Sequence, residues 1–389
     1  MKTIIHISAD FPDPLVPGKT TAVQSLIEAA PEHRHIVYSL NRVGWRTGIA
    51  ARPFGDGNLA IAYGAPSYGV RLSHHLTHVA DFILGDIEKR ALRPDLIHAH
   101  KFTVEGLIAH RLCQNLRCAY IASIWGATDR RIFEAKPGLR GAFRTIARET
   151  AFLLPAAPWT RDYFAKALQT DRGQLQLLSV ITKADAVLPP IICEKPRLVS
   201  IFAFDFWKRK GFPVLVKAVA QASKAVPELT LDVYGRGGPK ALIDMEGHIR
   251  EAQVEDRVAL RNQLDHRDVQ TVMNGYAGFV LPSRPETYGM VYVEALLAGL
   301  PILWSQNEGV DGFFNTMDIG HCCNPQSVED VADGLRHITA QQARLKRKIG
   351  FLQSQGAFDA LRSEAIGARY RQILALAIGH GAQAAASAA

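Results

Sequence analysis

The chain has 389 residues, of which 48% are apolar and 21% charged, with a formal net charge of +8. Apolar residues run through its whole length, which excludes a disordered or fibrous protein, since disorder needs low hydrophobicity with high net charge. No apolar run reaches the roughly 18 residues of a membrane span, and the apolar stretch in Met1-Lys2-Thr3-Ile4-Ile5-His6-Ile7-Ser8-Ala9-Asp10 is too short for a signal peptide, so a cytoplasmic protein of two or three domains is expected.

In chain order, β-branched or apolar runs predict strands at residues 3–8, 35–40, 95–100 and 118–123, with helices at 20–30, 71–90 and 104–114. A second series of strands follows at 197–202, 230–234, 257–260, 278–281 and 301–304, again with helices between. This alternation is the pattern of parallel sheets covered by helices. Two such series fit an α/β protein of two doubly wound, Rossmann-like domains better than one very large sheet. The connecting stretch, residues 181–196, holds Pro189, Pro190 and Pro196, and proline resists helix and sheet alike. The expected division is therefore 1–185, 186–370, and a helix end with a low-complexity, frayed tail at 371–389.

The five cysteines, Cys113, Cys118, Cys193, Cys322 and Cys323, contain no CxxC pair and read as buried free thiols rather than as disulfides or a zinc site. Residues 1–190 carry 23 Lys+Arg against 16 Asp+Glu, whereas residues 191–389 carry 22 against 21. The basic surplus thus belongs to the first half, and points to an anionic partner or to a solvated face. Arg140, Arg144 and Arg148 recur every four residues beside Leu139, Phe143, Ile146 and Ala147. Such a helix either lies on an anionic membrane surface or packs its apolar side on the protein's own sheet.

The sharpest chemistry lies after the strand at 278–281. Glu286 falls on the loop that follows it and Glu294, eight residues on, on the next helix, so both can border the crevice where open parallel sheets bind ligands. Gly289, Met290 and Val291 open that helix and offer unpaired amides to an anion. An anion beside carboxylates that accept hydroxyl hydrogens suggests a sugar phosphate or sugar nucleotide. Lys208-Arg209-Lys210-Gly211 also follows a strand and opens a helix, bringing cations to a phosphate.

Glu286-Thr287-Tyr288-Gly289-Met290-Val291-Tyr292-Val293-Glu294 resembles the E-x7-E signature of retaining GT-B glycosyltransferases of the family 4 type. Asp95-Leu96-Ile97-His98-Ala99-His100, Tyr234-Gly235-Arg236-Gly237-Gly238-Pro239, Pro17-Gly18 and Lys210-Gly211 are similar to further motifs of that family, in the same order. The resemblance implies a GT-B architecture with two domains facing across a cleft. It implies that Glu286 binds donor-sugar hydroxyls, that the amides of Gly289 to Val291 hold the donor phosphates and that Glu294 binds the ribose. Lys210, aided by Arg209, would neutralise the departing diphosphate, with Gly18 on the phosphate-side loop. The donor would be a nucleoside diphosphate sugar acting as co-substrate, with no cofactor. The acceptor would be a glycan or lipid-linked, in cell-envelope polysaccharide or glycolipid synthesis, with the enzyme peripheral on the inner face of the cytoplasmic membrane.

No D-x-D triplet occurs, so no metal is expected in the transfer. Phe204 stands where the family usually has an arginine, and Trp125 where many members have a histidine. Asp129, at the end of a strand, is then the remaining candidate for acceptor contact or proton removal; the alternative is that it caps the next segment. His98 and His100 share one face of an apolar strand and read as core residues, with His100 kept as a cleft contact. Competing functions are a nucleotide-sugar epimerase or hydrolase on the same fold, and a basic nucleic-acid-binding module. The latter is disfavoured because clustered exposed aromatics do not interleave with the basic residues and the charge surplus lies mostly in one segment, and no nucleic-acid partner is expected.

Overall fold

The computed structural model describes residues 1–44 and 48–387; of the expected frayed tail, Ala388 and Ala389 lie outside the described residues. The chain divides into two compact units. The first comprises Met1–Ala156, Thr160–Ile181 and Glu364–Ala389, and the second Ala157–Trp159 and Thr182–Ser363. No helix among the described residues is long and apolar enough to cross a membrane.

The first unit is built on β1 (Thr3–Ser8), β2 (Arg34–Val43), β3 (Ala50–Phe54), β4 (Asn58–Gly64), β5 (Leu96–Ala99), β6 (Ala119–Ile124) and β7 (Phe152–Pro155). Their order across the sheet is β3-β4-β2-β1-β5-β6-β7. All neighbours are parallel except β3, which turns back antiparallel on β4. The sequence pattern misses β3 for a physical reason: it is an edge strand with four of five residues exposed and Pro53 within it, so it has no alternation to detect.

The second unit holds β8 (Arg197–Ile201), β9 (Thr230–Tyr234), β10 (Val258–Arg261), β11 (Gly278–Val280), β12 (Ile302–Ser305) and β13 (Gly320–Cys323). They lie side by side in the order β10-β9-β8-β11-β12-β13, all parallel. Numbered within the unit this is 3-2-1-4-5-6, the doubly wound dinucleotide-fold order. The first unit repeats it once β3 is set aside. Leu198, Val199, Leu231, Val233, Phe279, Val280, Ile302 and Leu303 are wholly buried, as strands covered by helices on both faces must be.

The boundary falls at Ile181, inside the proline-containing stretch, but the end of the chain differs from expectation. Residues 186–370 were assigned to the second domain, whereas Glu364 onward groups with the first unit. Along the helix Ser363–Ser387, Tyr370, Ile373, Leu374 and Ala377 pack with Ile4, Leu26, Leu96 and Ile121. Burial of that stripe contributes roughly 1.5–3 kcal/mol per large side chain. All five cysteines are free, but only Cys113 and Cys323 are buried and Cys322 is exposed, which corrects the uniform burial expected of them.

Candidate functional site

In the second unit the strand order reverses between β8 and β11, and ligands of open α/β sheets bind outside the carboxyl ends at such a point. The segments leaving those two strands meet there. Lys210 Nζ lies 2.5 Å from Glu286 Oε2. Ser283 Oγ donates to the same oxygen at 2.8 Å, and the Thr287 amide donates to Oε1 at 3.1 Å. The Glu286 amide in turn donates to Glu308 Oε2 at 2.8 Å. Two backbones are joined as well, since the Arg284 amide donates to the Arg209 carbonyl at 2.7 Å.

Gly211 explains how the Lys-Gly turn comes so close. Its φ is +69° and a Cβ there would sit 2.0 Å from the Pro282 carbonyl oxygen, so only glycine lets the loop after β8 touch the loop after β11. Gly289 plays the corresponding part at the mouth of the helix Met290–Leu297: its φ is +75°, and a Cβ would strike the Tyr292 ring at 2.5 Å. The first amide bonded back into this helix is that of Tyr292, to the Gly289 carbonyl. The amides of Met290 and Val291 therefore belong to the first turn, which has no intrahelical acceptors.

The two carboxylates have opposite electrostatics. Burial pushes Glu286 up, but the Lys210 ammonium and the hydrogen bonds from Lys210, Ser283 and Thr287 outweigh it and hold the carboxyl below its ordinary value. Burial pushes Glu294 above its ordinary value, opposed only in part by the Thr182 hydroxyl, which donates to Glu294 Oε1 at 2.6 Å. One carboxylate is thus held ionised beside a cation, and the other is a buried acceptor with a hydroxyl partner. Thr182 comes from the segment joining the units, which no local spacing could have revealed.

The other basic residues of the turn are exposed, with Arg209 over the Phe206 ring at 4.4 Å and Lys208 over Trp207 at 5.0 Å. Phe204, in the place of the family arginine, is buried against Gly235 and Gly237 and supplies no cation. Ser283 and Glu308 were missed by the sequence reading, because a serine after proline and a glutamate 22 residues from Glu286 form no spacing pattern.

The first-unit candidates fare differently. Asp129 is fully buried; its Oδ1 accepts from the Thr103 amide and hydroxyl, and its Oδ2 from the Trp125 amide. It lies inside the helix Ala127–Ala135 and anchors two loops that precede it, which corrects its assignment as a group that meets an acceptor, and it does not cap that helix either, whose N-cap is Gly126. His100 is likewise fully buried, so it is no cleft contact. Its Nε2 faces His6 Nδ1 at 3.0 Å, while its Nδ1 has no partner among the described residues. Trp125 is buried, its indole N–H has no partner among the described residues, and it lines a small cavity with Ser123, Leu154 and Ser179. Gly18 is exposed with open space around it. The neighbouring Lys19 is engaged by Asp13, Ser39 and the Leu40 carbonyl.

Arg140, Arg144 and Arg148 are exposed along the helix Arg140–Glu149, but Phe143, Ile146 and Ala147 on its other side are buried in the unit's core. The apolar face is therefore occupied, and only the arginines are free to meet a surface.

Residues 193–350, within the second unit, match the family model described as "Glycosyl transferases group 1". Among curated proteins, the chain is 30% identical over 157 residues to the UDP-N-acetylglucosamine–peptide N-acetylglucosaminyltransferase GtfA subunit of Streptococcus pneumoniae, covering 40% of this chain and 29% of that one. It is 24% identical over 280 residues to a glycogen synthase of Mycobacterium tuberculosis, covering 67% and 63% respectively. The chain thus spans less than two thirds of either relative. Among solved structures, the sucrose-phosphate synthase of Thermosynechococcus elongatus superposes with a TM-score of 0.72 at 19% identity, over 96% of this chain and 100% of that one. Anabaena Alr3699/HepE in complex with UDP superposes with a TM-score of 0.66 at 14% identity, over the same shares. The fold is α/β, of the two-domain GT-B type.

Proposed function

We propose that this chain is a retaining glycosyltransferase of the family 4 type, moving a sugar from a nucleoside diphosphate sugar to a glycan or lipid-linked acceptor in cell-envelope polysaccharide or glycolipid synthesis. The observation that carries the reading is the Lys210–Glu286 pair, 2.5 Å apart at the reversal of the second sheet and beside the helix opened by Gly289. The family match over residues 193–350 supports it.

Without a ligand the cation and the carboxylate neutralise each other. A donor diphosphate reaching the first-turn amides of Met290 and Val291 would draw Lys210 toward its own charge, freeing Glu286 to accept hydrogen bonds from sugar hydroxyls. The acceptor hydroxyl would then approach the face the diphosphate leaves, while Lys210, the helix amides and Arg209 from the exposed turn stabilise the leaving group as its charge develops. Glu294, a buried acceptor, would bind the ribose hydroxyls.

Fixed cations and amides suffice for this chemistry, so transfer is expected to proceed undiminished in excess chelator. We place the enzyme on the cytoplasmic face of the membrane, held by the exposed arginines of the helix Arg140–Glu149.

The deciding experiment begins with a thermal-shift panel of nucleoside diphosphates, followed by nucleotide sugars of the winning base and anomer analysis of the product. A product with the donor's anomeric configuration, formed only when acceptor is present, is expected. Turnover of donor alone would favour an epimerase or hydrolase, and an inverted product would overturn the retaining mechanism.

A further inference from the structure

Early in the helix Leu72–Lys89, His74 and His78 lie four residues apart on one face, both exposed. Their Nε2 atoms are 3.3 Å apart, and the rings stand nearly perpendicular, at 84° with centroids 4.5 Å apart. That separation is longer than a good N–H···N hydrogen bond. It matches another arrangement better: two imidazole nitrogens bound at 2.0–2.1 Å to one tetrahedral ion lie about 3.3–3.4 Å apart. In the chain the helix follows β4 after the short turn Ser67–Gly69.

We propose that His74 and His78 form a binding site for a divalent ion of the zinc, nickel and copper class. Imidazole suits these metals, whereas magnesium and calcium require oxygen ligands. Two protein nitrogens leave the remaining positions of the ion open to water or to ligand oxygens, as in an open rather than a closed structural site. His75, half-buried with its ring centroid 5.5 Å from that of His74, is a neighbour rather than a member of the pair. A second cluster, His6, His98 and His100, has ligand atoms within 4.8 Å of one another. It is wholly buried, with no entry path for an ion, and His6 and His98 already spend their nitrogens on His35, His100, Tyr370 and Ser123.

The test is equilibrium dialysis of the metal-stripped full chain against zinc chloride or nickel chloride, with metal analysis of the protein. One bound ion per chain is expected, undisplaced by excess magnesium. His74→Gln and His78→Gln should each weaken binding by about tenfold or more, and His75→Gln should not. His74 and His78 are exposed, so their replacement does not put folding at stake. Unchanged binding in the His74→Gln/His78→Gln double variant, or loss of the ion in His100→Gln instead, would overturn the proposal. Because the site lies in the first unit, its loss leaves the donor chemistry of Lys210 and Glu286 standing, and a failed donor assay leaves this site standing.

Discussion

The two units share one strand order, and each sets an ion pair at its reversal point in different surroundings. In the second unit the loops leaving β8 and β11 bring a lysine and a glutamate together as an ionised pair. In the first unit the segments leaving β1 and β5 likewise bring two charges together, Lys101 and Asp10, 2.6 Å apart, but here His6, His98 and His100 on and after those strands are imidazoles that burial keeps neutral. Near the pair is Glu105, which accepts from the Ala9 amide and which burial pushes up to about 8. The exposed arginines of the helix Arg140–Glu149 carry further charge outward. The same topology can therefore set a reversal-point ion pair beside a carboxylate held ionised by hydroxyl and amide donors, or beside buried neutral groups.

The largest expected effect tests the ionised pair. Glu286→Gln should lower kcat by about 10²–10³-fold, with a smaller loss of stability because Lys210 is left without a charged partner and one amide oxygen replaces two acceptors. Equal kcat in variant and wild type would break the contrast between the units. Lys210→Ala should lower turnover comparably and also reverse a pH trend. In the wild type Glu286 is held below its ordinary value, so its contribution to stability is present above the ordinary carboxylate range and lost as the pH falls through the lowered one. Without Lys210 only the Ser283 and Thr287 hydrogen bonds oppose burial, the carboxyl rises, and stability should fall as the pH rises, by about 3 kcal/mol. Urea titrations from pH 4 to 8 would show it, and parallel curves for the two proteins would refute it.

Gly211→Ala should cost about 2–4 kcal/mol in denaturant unfolding, from a positive φ and a clash with the Pro282 carbonyl. The raised carboxyl of Glu105 makes a weaker signature in the first unit. Its contribution to stability is full below the ordinary carboxylate value, declines as the pH climbs, and levels off above about 8. Glu105→Gln should remove that slope and gain about 2 kcal/mol at pH 8; an unchanged slope would place the titration elsewhere. Smallest is the outward charge. Replacing Arg140, Arg144 and Arg148 by alanine should weaken binding to anionic vesicles by about 1 kcal/mol per arginine, leaving turnover of a soluble acceptor unchanged. Equal binding to neutral vesicles would remove the electrostatic attachment.

The sequence was most legible where chemistry is local. The spacing of Glu286 and Glu294, the glycines at 211 and 289 and the buried strands of both sheets each leave a signature within a few residues. Contacts that close over long distances leave none. Thr182 reaches Glu294 across 112 residues and Glu308 meets the Glu286 amide from another loop. Asp129 misled for a related reason. A carboxylate after a strand has the same pattern whether it faces solvent or turns back to tie Thr103 and Trp125, and only burial separates the two.

The helix Ser363–Ser387 has a consequence for biosynthesis. Its apolar stripe covers one face of the first unit, yet it follows the entire second unit in the chain. As domains emerge from the ribosome in order, the second can fold as soon as it is made, while the earlier one must wait for its last piece with Ile4, Leu26 and Ile121 uncovered. Cutting the chain at the proline-containing connection would accordingly leave the first product with an open flank and the second with the apolar stripe of that helix uncovered, although both halves have complete sheets.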